Sequence, residues 1–449
     1  MREMKDSGIY DGVEIPVSWD TMKFGKVCSV VTDFVASGSF ADLRENVPYL
    51  SEPDYAMLVR TTDLAKTARS EGKVYISKAS YEFLSNSNLF GGEIVLPNIG
   101  SIGDVYVVPK LYDRMSLAPN SIMFKTNYCD KYYYYYFLSK VGGLQLSEIS
   151  QSTAMAKFNK TDLKQIRVFL PSLAEQQRIA EFLDRKCAEV DEMIALQEQI
   201  IEELKAYKQS VITEAVTKGL NPAAPMRDSG IEWIGSIPEH WSTKRLKDVG
   251  YLYGGLTGKA GDDFIAEDDE TCQYMRFIPY TNIFNNYLIN PAQLYKVRIE
   301  EGEKQNLVNK GDILFLMSSE DYDGVGKPAM IDMQVDNLGL NSFCKGFRIT
   351  DNGTYPKYLL YLLLSHTLRE MVRQEGKGFI RINLRQDKLS TCPIILPDIT
   401  EQQAIADYLD EKCDDIDSLI QAKLSKIDSL KEYKKSIIYE YVTGKREVE

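Results

Sequence analysis

Histidine is scarce in this chain, and cysteine is never arranged as in a metal site. Only two histidines, His240 and His366, occur among 449 residues. The seven cysteines are scattered and contain no CxxC pair: Cys28, Cys129, Cys187, Cys272, Cys344, Cys392 and Cys413. These absences argue against histidine-based catalysis, a zinc site and a disulfide framework, and they favour reduced thiols in a cytoplasmic protein.

Long apolar runs are also missing. No stretch reaches the roughly 20 apolar residues that a membrane span needs. The first residues, "MREMKDSGIYDGVEIP", contain no apolar core of a secretory signal. We therefore expect no membrane association and a cytoplasmic location.

Recognisable catalytic motifs are absent as well. The segment "GGLTGKAG" (254–261) approaches a phosphate-binding loop, but Tyr253 stands where the first glycine is needed and Ala260 where Ser or Thr would bind magnesium. The [ND]PP[YFW] tetrad of amino-methyltransferases does not occur. The sequence therefore predicts a protein that is not an enzyme and holds no metal or cofactor of its own.

The chain contains an internal repeat. "LPSLAEQQRIAEFLDRKCAEVDEMI" starts at Leu170 and "LPDITEQQAIADYLDEKCDDIDSLI" at Leu396, an offset of 226. Upstream, "DSGIYDGVEIPVSWD" from Asp6 matches "DSGIEWIGSIPEHWS" from Asp228 at an offset of 222. The order is thus a variable domain, a helix, a second variable domain and a second helix. The predicted boundaries are 1–170, 171–220, 221–395 and 396–449.

Each repeated segment predicts one long helix with an apolar heptad stripe. Ser172 and Asp398 are N-cap candidates. Helices of about 45 residues would be roughly 70 Å long, so we expect them to pair as an antiparallel coiled coil. The residues predicted to pair the helices or bind partners are Ile179, Leu183, Val190, Leu204, Ile405, Leu409, Ile416 and Leu430. The same stripe was predicted to include Met193, Ile200 and Tyr207 on the first helix and Leu419 and Tyr433 on the second.

The variable domains read as mixed α/β, so the fold class is α+β: two α/β domains separated by two long helices, with a pseudo-twofold internal repeat. Each domain contains strand-like runs, such as "YAMLVRTTDL" and "YMRFIPYTNI". A tyrosine run, "KYYYYYFLSK" (131–140), suggests base stacking. Its repeat copy "KYLLYLLLSH" (357–366) contains leucines instead, so we predict that both are core helices.

A polar, basic loop follows each of these helices and is the predicted DNA contact. Asn, Arg and Lys side chains read base edges or hold phosphates, although a solvated surface loop remained an equal alternative. Two Gly/Ser-containing turns were weaker candidates for phosphate contacts. The predicted DNA-binding residues are Ser101, Lys157, Asn159, Lys160 and Lys164 in the first domain and Ser319, Lys327, Lys377, Arg381, Asn383 and Arg385 in the second. Asn159 and Asn383 have the same local frame, being followed by "KTDL" and "LRQDKL", so we predict that they are equivalent.

The net charge of −12 argues against a general nucleic-acid coat, but an average can hide local basic surfaces. Each helical segment carries more acids than bases. The domains are therefore closer to charge balance than the chain as a whole, which leaves room for basic faces on them.

The doubled passage "LP…EQQ.IA..LD…ID.LI…L..YK.S.I.E.VT" resembles the conserved regions of type I restriction-modification specificity subunits, and the resemblance covers essentially the whole chain. It implies two target-recognition domains that each read one half of a bipartite, asymmetric site on double-stranded DNA. It also implies helices that set the spacer and dock two modification (methyltransferase) subunits, with two ATP-dependent restriction subunits completing the complex. S-adenosylmethionine, ATP and Mg would belong to those partners.

Two other classes remain open from the residues alone. One is a stand-alone bipartite DNA-binding regulator, and the other is a coiled-coil scaffold whose domains bind proteins. The target bases, the spacer length and the methylated base are not encoded in any pattern that the sequence reveals.

Overall fold

The structure is a computed structural model that describes residues 2–65, 72–150, 156–265 and 273–448. It divides into two compact units. Unit 1 comprises Met1–Glu198 with Leu424–Glu449, and unit 2 comprises Gln199–Lys423. Cys272 lies outside the described residues, and the other six cysteines are free thiols. No helix in these ranges is long and apolar enough to cross a bilayer.

Unit 1 contains short strands and helices followed by the first part of a long helix. Its strands are β1 (Met4–Asp6), β2 (Glu14–Pro16), β3 (Asp20–Lys23), β4 (Cys28–Asp33), β5 (Ala56–Val59), β6 (Tyr75–Ile76), β7 (Asn88–Leu89), β8 (Ile94–Pro97), β9 (Tyr106–Val107), β10 (Met115–Leu117), β11 (Ser121–Thr126) and β12 (Arg167–Leu170). Its helices are α1 (Phe24–Val27), α2 (Phe40–Asn46), α3 (Thr61–Leu64), α4 (Lys78–Phe83), α5 (Asp130–Leu138), α6 (Lys140–Glu148), α7 (Lys160–Gln165) and the first half of α8 (Leu173–Lys218).

Unit 2 repeats this arrangement. Its strands are β13 (Met226–Asp228), β14 (Ser236–Pro238), β15 (Ser242–Arg245), β16 (Gly250–Gly254), β17 (Phe264–Ile265), β18 (Tyr274–Ile278), β19 (Tyr295–Arg298), β20 (Ile313–Leu316), β21 (Ser318–Ser319), β22 (Pro328–Met330), β23 (Leu338–Leu340), β24 (Cys344–Ile349), β25 (Ile382–Asn383) and β26 (Pro393–Leu396). Its helices are α9 (Tyr280–Asn285), α10 (Pro356–Leu364), α11 (His366–Glu375), α12 (Gln386–Ser390) and the first part of α13 (Ile399–Val442).

Both units are mixed α/β, as predicted, and their sheets correspond. Unit 1 has four-stranded sheets in the orders β4-β11-β8-β9 and β6-β5-β10-β7, and unit 2 has β16-β24-β20-β22 and β17-β19-β18-β23. In each unit one sheet is antiparallel and the other contains a single parallel pair, β5 with β10 or β18 with β23. The predicted strand runs at 55–64 and 274–283 supply β5 and β18. The two units therefore share a framework despite their different sequences.

The two long helices begin where the sequence predicts, because each start is capped by a side chain. Ser172 Oγ accepts a hydrogen bond from the Glu175 amide at 3.3 Å. Asp398 Oδ1 accepts from the amides of Thr400 and Glu401 at 2.9 and 3.0 Å. These bonds satisfy donors that would otherwise be orphaned at a helix start.

The tyrosine run belongs to the core, as predicted. Tyr132, Tyr133 and Tyr136 on α5 are completely buried, and Phe137 is buried with them. In the repeat copy the residues at 358–363 on α10 are buried as well. The shared requirement of the two copies is apolar bulk, and base stacking by these tyrosines is excluded by their burial.

In unit 1 the first half of α8 packs antiparallel against the second half of α13. Phe182 contacts Tyr441 with ring centroids 4.3 Å apart. Further along, Asp191 Oδ1 accepts from Lys434 Nζ at 2.6 Å. Residue numbers thus rise along α8 as they fall along α13, so the two helices run in opposite directions. Ile179, Leu183 and Val190, together with Leu430 of α13, are buried in this unit.

In unit 2 the remaining halves pack in the same sense. Lys208 Nζ donates to Asp417 Oδ2 at 2.6 Å, the repeat equivalent of the Lys434–Asp191 pair. Ile405, Leu409 and Ile416 are buried here, and Leu204 is partly buried. In unit 1 the lysine of the pair is on α13 and the aspartate is on α8, whereas in unit 2 the lysine is on α8 and the aspartate is on α13.

The predicted stripe is wrong in one respect. Met193, Tyr207, Leu419 and Tyr433 are 51–60% exposed. Ile420, one position after Leu419, is buried instead, as are Ile201, one position after Ile200, and Ile427. A helix turn takes 3.6 residues, so apolar residues spaced by three or by four both lie on one side of a helix. After Ile416 the prediction chose the residue three positions later, Leu419, whereas the fold buries the residue four positions later, Ile420.

A buried glutamine joins each long helix to the domain before it. Gln402 is fully buried. Its Nε2 donates to the carbonyls of Gly353 and Pro397 at 2.8 and 2.9 Å, and its Oε1 accepts from the Tyr355 amide at 2.8 Å. Gln176 makes the corresponding bonds to Pro171 and Cys129 in unit 1.

Gln402→Ala is therefore expected to destabilise unit 2. The substitution removes the partner of the buried Pro397 carbonyl and of the part-buried Gly353 carbonyl and Tyr355 amide, and a buried group left unsatisfied costs about 1–3 kcal/mol. We expect a loss of roughly 3 kcal/mol in the free energy of unfolding, measured by urea denaturation. Gln403→Ala is the matched control, because Gln403 is exposed; equal effects of the two substitutions would contradict this role for Gln402.

Candidate nucleic-acid interface

In each unit the fold brings a predicted turn beside a predicted basic loop. In unit 1, Ile99 pairs with Lys157, and the Phe158 amide donates to the Asn98 carbonyl at 3.1 Å. This places the turn of exposed Ser101 beside the loop that begins at Lys157. In unit 2, Ser318 and Ser319 pair with Asn383 and Ile382 in an antiparallel ladder.

The unit 2 loop is a tight hairpin. Lys377 and Asn383 exchange backbone hydrogen bonds of 3.0 and 2.9 Å. Between them Gly378 has a φ of +148°, and a Cβ there would lie 1.9 Å from the Arg381 carbonyl oxygen. Only glycine fits such a position. The chain therefore reverses within residues 378–381.

The hairpin rests on the core of unit 2. Ile382 and Leu384 are buried, and the Leu384 amide donates to the Met317 carbonyl at 2.9 Å. Below them Arg369 donates to the carbonyls of Asp323 and Val325 at 2.8 and 3.0 Å. Burial lowers the pKa of Arg369 to about 10, which leaves it charged at neutral pH. The base of the loop is thus fixed on both sides.

The tip of the hairpin carries two apolar side chains that sequence reasoning missed. Phe379 is 103% exposed and Ile380 is 87% exposed. They are the two most exposed large apolar side chains among the residues that the structure describes. The available signal was an apolar pair standing directly after a glycine within an otherwise basic, polar loop.

A cleft of 480 Å³ adjoins the hairpin. Tyr280 and Phe284 form one wall, with rings nearly parallel at 19° and centroids 6.1 Å apart. The Arg381 guanidinium lies 5.5 Å from the ring centroid of Phe343, which is itself 55% exposed. Aromatic faces, hydroxyls and the side chain of Asn341 line a space that is open to solvent. Such a surface combines stacking area with hydrogen-bonding groups.

Acidic groups also border this cleft. Glu320 is exposed, and Asp321 Oδ1 accepts from the Gly324 amide at 2.6 Å. A cleft with carboxylates repels phosphate, whereas carboxylate and amide oxygens accept bonds from base amino groups. The chemistry of the cleft thus suits base edges better than the DNA backbone.

The loop of unit 1 borders a cleft of 690 Å³ lined by Asn98, Lys157, Asn159 and the carboxylates of Asp33, Glu148 and Asp162. Lys157 and Lys164 are exposed on this loop. Residues 151–155, the start of the predicted basic loop, lie outside the described residues.

Several predicted contact residues have structural partners instead. Asn159 caps α7, because its Oδ1 accepts from the amides of Thr161 and Asp162 at 2.7 and 3.0 Å. Lys160 Nζ binds Asp33 Oδ1 at 2.7 Å. Arg385 donates twice to Asp387, each at 3.0 Å. These contacts reduce what the three side chains can offer to DNA.

Two further predicted residues are withdrawn from the surface. Ser319 is 3% exposed, and its Oγ bonds within its own turn to Asp321. Lys327 donates to the Phe284 carbonyl, and its Nζ lies 5.1 Å from the centroid of the Phe284 ring. Burial lowers the pKa of Lys327. Direct contact of either side chain with DNA is therefore not supported by the structure.

The predicted equivalence of Asn159 and Asn383 is wrong. Helices α7 and α12 are repeat counterparts, and Asn159 and Arg385 occupy their N-cap positions. Asn383 lies instead in the hairpin, where its Nδ2 donates to the Arg381 carbonyl at 3.1 Å. Lys377, Arg381 and Asn383 are all exposed, and so remain available for a ligand.

The described residues contain no cluster of side chains suited to a metal ion.

Comparisons with known proteins agree with this arrangement. The family model of the type I restriction modification DNA specificity domain matches twice, at residues 16–206 and 238–429. The chain is 24% identical over 442 residues to the type I restriction enzyme MjaVIII specificity subunit of Methanocaldococcus jannaschii, covering 97% of this chain and 94% of the relative. It is 23% identical to the putative MjaX specificity subunit of the same organism, covering 96% and 94%.

Solved structures share the fold. One chain, from a study of complex assembly and conformational transition in a type I R-M system, aligns with a TM-score of 0.69 and 16% identity, covering 96% of this chain and 99% of that one. The HsdS subunit of Thermoanaerobacter tengcongensis aligns with a TM-score of 0.52 and 16% identity, covering 97% and 99%.

Gly378→Ala is expected to open the hairpin. The added methyl group would overlap the Arg381 carbonyl, and strain of this kind costs about 1–3 kcal/mol. Hydrogen exchange of the peptide containing residues 377–383 should accelerate roughly 5- to 100-fold. Gly261→Ala is the control, because its Cβ would meet nothing within 4 Å. Unchanged protection of 377–383 in Gly378→Ala would show that the loop does not depend on this glycine.

Proposed function

The chain belongs to the family of type I restriction modification DNA specificity domains, and from this premise we propose that it is the sequence-recognition subunit of a type I restriction-modification complex. In this proposal each unit reads one half of a bipartite, asymmetric site on double-stranded DNA. The chain positions the complex on DNA and performs no chemistry itself.

One observation carries the proposal: the two units share a buried framework but expose different loops. Trp19 and Trp241 donate to Glu175 and Glu401 at 2.9 and 3.2 Å. Around these matched contacts, the loops that precede α7 and α12 differ in residues and border clefts of different lining. A duplicated frame with divergent exposed loops suits recognition of two different half-sites.

We further propose that the two long helices form one antiparallel coiled coil and that the internal repeat is pseudo-twofold. The antiparallel packing within each unit and the exchanged ion pairs, Lys434 with Asp191 and Lys208 with Asp417, support this. A twofold-like frame matches the relation between half-sites on duplex DNA. The helices would then set the number of unread base pairs.

The partners in this proposal are two modification subunits and two restriction subunits. The modification subunits would bring S-adenosylmethionine, and the restriction subunits would use ATP and Mg. The exposed apolar residues of the helices, Met193, Leu196 and Leu419 among them, offer a surface for docking. The non-catalytic role of this chain is part of the same proposal.

The proposal is tested by reconstituting the chain with the modification subunit of its own system and mapping methylated positions. We expect methylation at one asymmetric sequence with two specified parts and an unspecified spacer. Specific DNA binding by the isolated chain, with no change on adding the modification subunit, would instead favour a stand-alone regulator. Failure of the complex to bind DNA at low salt would contradict DNA recognition altogether.

Arg381→Ala is expected to weaken recognition of one half-site only. Loss of a base-reading arginine costs about 1–3 kcal/mol, or roughly 5- to 150-fold in affinity. Competition binding with duplexes altered in one half should show relaxed specificity in the half read by unit 2. Arg385→Ala is the matched control, since Asp387 already holds that guanidinium. Equal losses from both substitutions would argue against base reading by Arg381.

Removing residues 194–200 together with 420–426 tests the spacer role. Seven residues shorten a helix by about 10.5 Å, close to three base pairs at 3.4 Å each. The methylated motif should therefore retain both specified halves and lose about three base pairs of spacer. An identical spacer in the shortened protein would refute the idea that helix length sets it.

A further inference from the structure

The Phe379–Ile380 tip is the most exposed apolar feature of the described chain, and nothing in unit 2 covers it. A phenylalanine and an isoleucine left fully in water forgo the free energy that burial of apolar surface provides. Single exposed apolar residues are ordinary. An adjacent pair at the end of a hairpin, with exposures of 103% and 87%, requires a more specific explanation.

The tip is held stiffly rather than on a mobile loop. Gly378 permits the reversal, the Lys377–Asn383 backbone pair closes it, and the β21–β25 ladder fixes its base. Ile382 and Leu384, which follow the tip, are buried. A preorganised projection loses little conformational entropy when it enters a partner. The tip can therefore enter a partner whose packed surface costs free energy to open.

Positive charge brackets the tip. Lys377 and Arg381 stand immediately on either side of the loop, and the structure shows no carboxylate partner for either one within the residues that it describes. The next cations along the chain are already paired, Arg385 with Asp387 and Lys388 with Glu375. An apolar point between two unneutralised cations complements a stacked, polyanionic duplex better than an apolar protein groove.

We propose that Phe379 and Ile380 form a wedge that enters a base step of duplex DNA, with Lys377 contacting a flanking phosphate and Arg381 the edge of an adjacent base. This rests on the proposed function and adds a mode of reading to it. Apolar side chains that enter between bases partly unstack them and kink the duplex. The cost of opening depends on the step, being lowest for pyrimidine–purine steps. The wedge would thus select a flexible step without any hydrogen bond to it.

The first test uses the complex with its modification subunit and duplexes containing the mapped methylation site. 2-Aminopurine is placed at successive positions of the half-site read by unit 2, leaving the methylated base unchanged. We expect one position, at the wedge, where fluorescence rises on binding. In the Phe379→Ala/Ile380→Ala variant that rise should disappear, and the affinity for the site should fall roughly 5- to 150-fold. Affinity for unrelated duplex, which phosphate contacts dominate, should stay within about threefold.

Phe379→Leu is the conservative variant. It keeps apolar bulk at the tip and should preserve the 2-aminopurine signal and most of the affinity. Both side chains are exposed, so the thermal midpoints of all variants should match that of the parent. If Phe379→Leu binds the site as weakly as the double variant does, the wedge proposal is wrong. Such a result would show that apolar bulk at the tip does not determine the affinity.

A tryptophan probe reports contact directly. Phe379→Trp should show quenched emission when the specific duplex binds, since indole stacked on bases is quenched. Tyr295→Trp, at a position 57% exposed on β19, should not respond. Quenching of both probes, or of neither, while the parent complex binds its site would contradict the wedge and leave the proposed function intact.

One outcome would assign the tip to a protein partner instead. Suppose that the double alanine variant loses part of its modification subunit during gel filtration, while the fraction that keeps this subunit binds DNA with parental affinity. The wedge proposal is then wrong. If the parent complex itself shows no preference for the mapped site, the failure lies with the proposed function.

Discussion

Each unit is completed by a hydrogen bond to a helix end that belongs to the other half of the sequence. The Tyr132 hydroxyl donates to the Val442 carbonyl at 3.1 Å, and the Tyr358 hydroxyl lies between two acceptors, the Val216 carbonyl at 3.3 Å and the Ile395 carbonyl at 3.0 Å. Both tyrosines are completely buried, so burial raises the pKa of each above its ordinary value. The hydroxyls remain protonated donors, and the helix ends are satisfied inside the core. The exposed loops on each unit depend on this shared frame.

The same frame includes a tyrosine, a lysine and an aspartate at matched positions. Tyr361 and Lys357 donate to Asp410 at 2.7 and 2.6 Å, and Asp184 has the corresponding partners in unit 1. Each aspartate is only partly shielded, at 31% and 36% exposure, and replacing it would leave a tyrosine and a lysine without their common acceptor. In the described part of the chain, the exposed side chains at Phe379, Ile380 and Arg381 make no such contacts with the frame, so they can vary while the frame stays constant.

The sequence was sufficient for features that are repeated or periodic. The two copies, the helix starts at Ser172 and Asp398, and the burial of the tyrosine run were all predicted, because capping and apolar bulk are local properties. The equivalence of Asn159 with Asn383 was wrong, since both precede short helices in the sequence but only Asn159 caps one. Side-chain partners such as Asp33 for Lys160 lie 127 residues away, and no pattern in the sequence announces them. The tip at Phe379 was missed because apolar residues are usually read as core.

The division of the chain also orders its biosynthesis. Unit 2 is one continuous stretch, Gln199–Lys423, whereas unit 1 needs Leu424–Glu449, which is translated after all of unit 2. Domains generally fold as the ribosome releases them, the first-made one earliest. Synthesis of unit 1 starts first, but unit 1 cannot be completed until the last turns of α13 are made. All of unit 2 has been translated before that point. A released chain that ends at residue 423 would therefore contain all of unit 2 and lack the part of α13 that completes unit 1.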